Sequence, residues 1–479
     1  MTAPTEQRMS RVDTAWLRMD NDVNLMMIVG VWLLSPGITL AALRERVQTK
    51  LLQYERFRHK AVIDAMGALW VEDTDFDITR QVVVEPLKRK RGQSERAALQ
   101  QRCGELAVTP LDPSRPLWQF HLIEHYEGGS ALIARIHHCI GDGIALISVM
   151  NSITDGGADP PRKSRRKQAE HGDDGDWLSE AVLRPLAGAA VKALDMTGDG
   201  VARSLDMLAH PRQPLQGSLD MARNGLQVVS DLAALALMGD DSPTRLKGKP
   251  AGRKVVAWGE PMPLDVVKVV GKALNCSIND VLLSCVSGAI GNWLRAQGDS
   301  TDGAEIRAMV PVNLRPLEKA WQLGNRFGLA PLVLPIGIAN PVERVYAVRQ
   351  RMTDLKDSYQ PLLAFGVLAV TGLFVKPVQD AILGLFSKKT TAVMTNVPGP
   401  REPLKFCGST LRQTMFWVPA SGDVGVGVSI LSYGGGVQFG LITDAALCPD
   451  PQAIIDQFEP EFQKLLMLAM MLPWGDAAG

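Results

Sequence analysis

Ala131-Leu132-Ile133-Ala134-Arg135-Ile136, then His137-His138-Cys139-Ile140-Gly141-Asp142-Gly143, then Ile144-Ala145-Leu146-Ile147-Ser148-Val149-Met150: this run decides how the chain is read. The first block is apolar and reads as a strand; the last reads as a helix. The polar middle therefore lies where a sheet holds the backbone while the loop stays open to ligand. Two of the chain's seven histidines are adjacent here. Imidazole titrates near neutrality, so one of them can take a proton from a hydroxyl or a thiol. Alternation along the strand sends the two rings to opposite faces, so only one reaches a given pocket. Gly141 and Gly143 permit a sharp turn. Asp142 is placed to cap the following helix or to pair with a buried arginine. Adjacent histidines rarely converge on one ion and no third ligand is evident, so no metal is expected. No GxSxG elbow exists, which argues against a serine hydrolase.

Outward from this run, segments 25–34 and 118–125 read as further strands, and the spacing of Leu40, Leu43, Val47 and Leu51 predicts a helix over 40–57. Residues 1–155 form a first domain. Residues 156–250 change character: Asp155-Gly156-Gly157 and Pro160-Pro161 break the chain, the basic run 162–167 follows, and helix-like stretches cover 177–194 and 219–238. This reads as a linker whose basic run is solvated or rests on anionic lipid. A third region, 251–479, carries predicted strands at 306–312, 329–336, 391–396, 424–431 and 437–443. Its predicted helices span 278–294, with Ser277 or Asn279 as cap, 342–359 and 451–470. Gly434-Gly435-Gly436 predicts a hairpin turn rather than a phosphate loop. Short strands interleaved with longer helices make the class α/β, with mixed sheets covered by helices.

Composition narrows the function. The 479 residues hold 51 Lys+Arg and 51 Asp+Glu, a formal net charge of zero, so no nucleic-acid partner is expected. Six cysteines stand far apart with no CxxC, which implies free thiols and a reducing compartment. The first 13 residues have no apolar core and predict no secretory signal. The apolar stretch 362–375 is too short to span a bilayer and reads as a buried or an interfacial helix, as does 378–386. The Met and Leu groups at 462–472 read as core packing or lipid contact.

His137–Gly143 fits HHxxxDG, and this string resembles the signature of the bacterial wax ester synthase/acyl-CoA:diacylglycerol acyltransferase family. That family is itself similar to chloramphenicol acetyltransferase and to condensation domains. Pro116-Leu117-Trp118 resembles the family's PLW motif, and Ser277-Ile278-Asn279-Asp280 its Asn-Asp motif. Pro311-Val312-Asn313-Leu314-Arg315, Gly324-Asn325-Arg326 and Asn396-Val397-Pro398-Gly399-Pro400 resemble its C-terminal blocks. Ser432-Tyr433-Gly434-Gly435 with Phe439-Gly440 and Asp444 resembles its final sheet. The chain departs from the family at Met26-Met27, where a Met-His pair is usual, and at Asn313, where Ser is commoner.

The resemblance implies two chloramphenicol acetyltransferase-like domains with an active-site tunnel at their interface. It implies transfer of a fatty acyl group from acyl-CoA, as substrate with no cofactor, to a long-chain alcohol or a diacylglycerol. His138 is then the general base, with His137 supporting it. Asp142 and Gly143 hold the motif in shape, and Asn279 lends polar support to substrate or oxyanion. Asn396 to Pro400 shape the tunnel wall. A cytoplasmic location is expected, with peripheral contact to the inner membrane or a lipid inclusion. Two other readings stay open: a related acyltransferase with another acceptor or a carrier-bound donor, and a non-catalytic lipid-surface protein.

Overall fold

Ser10, Thr39, Asp77, Ser94, Asp142 and Ser277 each stand just before a helix and accept a hydrogen bond from a backbone N–H two or three residues on. Each satisfies a donor that the first helical turn leaves without a partner, and so fixes where its helix begins. At Ser277 the cap is a box, because the Asp280 carboxylate in turn accepts a hydrogen bond from the Ser277 N–H. Ser277, not Asn279, is therefore the cap.

The computed structural model describes residues 6–65, 67–158, 239–314, 322–356 and 388–472. The first half runs β1 (Glu6–Arg8), α1 (Arg11–Arg18), β2 (Met27–Ser35), α2 (Leu40–Thr49), β3 (His59–Asp64), β4 (Gly67–Glu72), α3 (Ile78–Gln81), β5 (Val82–Val84), α4 (Glu95–Ala107), β6 (Trp118–Tyr126), β7 (Gly129–His137) and α5 (Gly143–Ser152). The second runs β8 (Lys254–Trp258), β9 (Met262–Pro263), α6 (Leu264–Ala273), α7 (Ile278–Ala296), β10 (Ile306–Asn313), β11 (Phe327–Leu334), α8 (Pro341–Lys356), β12 (Ala392–Pro398), β13 (Lys405–Phe406), β14 (Ser409–Trp417), β15 (Val426–Tyr433), β16 (Gly436–Asp444) and α9 (Gln452–Met471).

Two mixed sheets organise these elements. The first has the order β13-β14-β2-β7-β6-β5 and is antiparallel except between β5 and β6. The second has the order β11-β10-β12-β15-β16-β8, with β9 added to β16, and is parallel at β10–β12 and β12–β15. A small sheet, β1-β4-β3, flanks the first. In the first sheet β7 is buried along its whole length. Its Leu132, Ala134 and Ile136 pack with Leu43, Trp16 and Trp118, while Ala131 and Ile133 pack with Leu99, Leu106, Trp258 and Trp417. The strand therefore reads as an unbroken apolar run because both its faces are core.

The second sheet takes all its strands from the region after 251, whereas the first sheet draws on both sides of that division. β13 and β14, from the last third, extend the first sheet by pairing β14 against β2. The predicted helix over 40–57 also differs. The α-helix ends at Thr49, and two 3-10 turns, Leu51–Gln53 and Glu55–Phe57, follow with extended Tyr54 between them. Their three-residue step keeps Leu51, Tyr54 and Phe57 in the core where an α-helix would rotate one out.

Gly434 and Gly435 both have positive φ and form the two-residue turn between β15 and β16, the hairpin the sequence predicts. At the end of α9 the Met and Leu groups divide: Phe462, Leu465 and Ala469 are core, whereas Met467, Met470 and Met471 are exposed. The basic run at 162–167, the predicted helices at 177–194 and 219–238, the apolar stretches 362–375 and 378–386, and Arg315 lie outside the described residues. Among the described residues no single helix is long and apolar enough to cross a membrane.

Candidate active site

β7 ends at His137, and the chain turns through Gly141 into α5, which Asp142 caps through Oδ1 and the Ala145 N–H at 2.9 Å. The two histidines part as strand alternation requires. The His137 Nε2 stands 3.2 Å from Asp20 Oδ1, and its Nδ1 accepts a hydrogen bond from the Cys139 N–H. A nitrogen that accepts carries no proton, so this ring is the Nε2–H tautomer, donating to Asp20. Both its nitrogens are engaged, to Asp20 and to the turn itself.

His138 takes the other side. Its N–H donates to the Met26 carbonyl at 2.7 Å, which ties the loop to the start of β2. Its ring stacks on Trp16 of α1 with centroids 4.1 Å apart and an interplanar angle of 14°, and Phe327 lies 5.5 Å away. The residue is only 3% exposed. Burial pushes its pKa down to about 4, so the ring is neutral at pH 7 and free to accept a proton. Nδ1 is sealed and meets no hydrogen-bond partner, which leaves Nε2 as the nitrogen that can face a substrate.

A buried polar set holds this loop. The Asn325 Nδ2 donates to the His138 carbonyl and to Asp13 Oδ1, both at 2.8 Å, and its backbone N–H also reaches Asp13 Oδ1. Asp13 Oδ2 pairs with Arg56 at 3.1 Å, and Arg56 in turn donates to the Ile140 carbonyl at 2.8 Å. Asp142 Oδ2 accepts from the Arg326 N–H at 3.0 Å, so this carboxylate braces two loops as well as capping α5. Of the two roles the sequence leaves open to Asp142, capping the following helix is the one observed. Sequence reasoning missed Asp13, Trp16 and Arg56, because one short helix and one 3-10 turn carry them far from the motif. Asn325 was legible only as part of a motif block, with no role attached.

An apolar cavity of about 90 Å³ adjoins the loop. Ile28, Ala134, Ile136 and Gly143 wall it from the first sheet and α5; Gly399, Pro400, Leu431 and Tyr433 wall it from the second half. It lies on the face of β7 that the His138 side belongs to. The expected placement of Gly399 and Pro400 in a wall between the halves holds. The expected open tunnel is here a narrow seam. A 150 Å³ cavity holds one benzene, so this seam must part to admit an alkyl tail. Asn279 stands apart from the loop's hydrogen-bond network: exposed at the start of α7, its Oδ1 accepts from the Asn396 Nδ2 at 3.0 Å.

Residues 9–282 match the model of the wax ester synthase/diacylglycerol acyltransferase catalytic domain, and residues 323–466 match that of the WS/DGAT C-terminal domain. A probable diacylglycerol O-acyltransferase of Mycobacterium tuberculosis is 26% identical over 440 residues, covering 90% of this chain and 88% of that one. Wax ester synthase/diacylglycerol acyltransferase 7 of Arabidopsis thaliana is 25% identical, covering 90% and 91%. The structure of a wax ester synthase/diacylglycerol acyltransferase from Marinobacter aquaeolei superposes with a TM-score of 0.64 at 18% identity, covering 96% and 98%. The first condensation domain of the calcium-dependent antibiotic synthetase gives 0.58 at 15% identity, covering 97% and 96%, a likeness of fold.

Proposed function

The chain belongs to the wax ester synthase/diacylglycerol acyltransferase family, and from that premise we propose that its His138 drives the acyl transfer as a general base. The protein is an O-acyltransferase that moves a fatty acyl group from acyl-CoA to a long-chain alcohol or a diacylglycerol. In the step we propose, the hydroxyl of the acceptor meets His138 Nε2 as its oxygen attacks the thioester carbonyl. The carbon–oxygen bond forms, the proton passes to Nε2, and the carbon–sulfur bond breaks. The same proton then goes to the departing thiolate, so the ring ends neutral and no acyl-enzyme is formed. General-base action of this kind contributes about 10²–10⁴-fold. Holding both substrates in one site supplies much of the rest.

The observation that carries this reading is the neutral, buried His138 ring at the end of β7, the strand whose Ala134 and Ile136 wall an apolar cavity shared by both halves; His138 itself does not line that cavity. Each methylene buried there contributes about 0.8 kcal/mol, so the seam selects long chains without a charged anchor. His137 and Asp142 act through position: the first fixes the turn, the second fixes α5 and the 323–326 loop. We place Asn279 with Asn396 as polar support at the second half's edge of the site. The exposed Met467, Met470 and Met471 at the end of α9 agree with peripheral contact to a lipid surface.

The test is thiol release from a long-chain acyl-CoA with a panel of alcohols and diacylglycerols, with the ester identified by mass. Release that depends on the acceptor and yields the matching ester is expected. Turnover only with a carrier-bound donor, or none with any acceptor, would contradict the assignment.

A further inference from the structure

Arg135 lies on β7 two residues before His137, about 6.7 Å along the strand and on the same face. It is 2% exposed, yet among the described residues no carboxylate pairs with it. The Gln119 Oε1 takes one Nη1 hydrogen and the Thr109 carbonyl takes one from Nη2, while the buried Nε meets no partner. A buried guanidinium held only by neutral acceptors is a costly arrangement, and the cost is removed when an anion arrives.

The surroundings offer room for one. A pocket of about 350 Å³ opens beside Arg135, lined also by Arg80, Arg102, Arg115 and His121. Two buried N–H donors without a hydrogen-bond partner belong to residues of this one lining, Arg135 Nε and Arg102 Nε. The carboxylates nearby are occupied. Glu85 pairs with Arg102 and His121, Asp73 and Asp75 pair with Arg115, and Asp112 at the rim accepts from Ser114. Among the described residues of this lining, Arg135 is left without a carboxylate.

We infer that this pocket, between α4, β6 and β7, is a phosphate-binding site whose floor is the Arg135 guanidinium. Planar guanidinium forks suit phosphate oxygens, and Arg102 adds a second donor group from the wall. Two sources carry the same chemistry: the phosphates of coenzyme A, which rests on the donor assigned above, and the phosphate headgroup of an anionic lipid.

The experiment is calorimetric titration of the full chain with inorganic pyrophosphate, comparing wild type with Arg135→Gln and Arg102→Gln, each checked by its melting curve. At least tenfold weaker binding by the folded variants is expected. Binding equal in all three proteins, or absent from the wild type, overturns the site. Arg102 is partly exposed, so its variant keeps the test open if Arg135→Gln fails to fold. Competition by coenzyme A assigns the first source; competition only by phosphatidylcholine vesicles containing phosphatidate assigns the second. If the first holds, Arg135→Gln raises KM for acyl-CoA at least tenfold, a loss at least several-fold larger than its effect on the acyl N-acetylcysteamine thioester, which bears no phosphate. The binding arm reads no turnover, so its failure is distinct from failure of the acyl-transfer assignment.

Discussion

His138 must be neutral to take a proton from a hydroxyl, and its burial sets the pH at which that holds. With its pKa pushed down to about 4, the acid limb of the kcat/KM profile lies well below the ordinary imidazole value of 6.5. A profile of initial rates from pH 4 to 8 should stay flat down to about pH 5; a limb at 6.5 would mean that the ring is solvated in the working enzyme. The pairing of motif and fold was legible in this stretch because a strand signal, two histidines and a helix signal follow one another without a gap. The neutral state of the base was not, since it depends on Trp16 and Phe327, which arrive from α1 and β11. The same is true of Asp13 and Arg56, whose contact with the loop is purely tertiary.

At the scale of elements, one carboxylate ties α5 to the 323–326 loop. Replacing Asp142 with Ala removes the cap and the brace together, and a cap alone contributes about 1 kcal/mol. Asp142→Asn keeps a capping oxygen but turns an amide toward the Arg326 N–H, so it should lose activity while retaining most of the stability. Equal activity in Asp142→Asn and wild type, measured with equal melting temperatures, would show that the brace is dispensable. α7 makes a different demand. A Cβ on Gly288 would stand 2.4 Å from Glu461 Oε2 and 2.6 Å from Arg344 Nη2, inside a buried ion pair. Gly288→Ala should therefore lower the midpoint of denaturant unfolding more than an exposed helical Gly→Ala change, which is ordinarily favourable. The helices with long apolar faces were readable from spacing. α1 and α4 were not, because a two-turn helix and a helix with weak periodicity leave little pattern, although Ser10 and Ser94 mark their starts.

At the scale of the whole molecule, β14 leaves the second half to pair with β2, so the first sheet is not complete within one stretch of chain. The described halves should unfold in one cooperative transition by calorimetry; two resolved transitions would show that the crossing strand does not couple them. No reading of local pattern could place β14 in the first sheet, since its partner lies almost 400 residues earlier. Acid stability follows from two buried rings. His138 and His121 are both pushed down to about 4, the first chiefly by burial, the second by burial and then by the charge of Arg135. In the unfolded chain they take up protons near 6.5, so between 6.5 and 4 the unfolded state binds more protons and stability falls as pH falls. Urea midpoints that rise on acidification through that window would contradict the assigned burial.

The proton transfer itself is tested most directly by the rate of thiol release from acyl-CoA with a saturating long-chain alcohol in His138→Ala, compared with wild type at pH 7 and equal folded fraction. A fall of about 10²–10⁴-fold is predicted, with substrate binding little changed. A rate within a few-fold of wild type would contradict it.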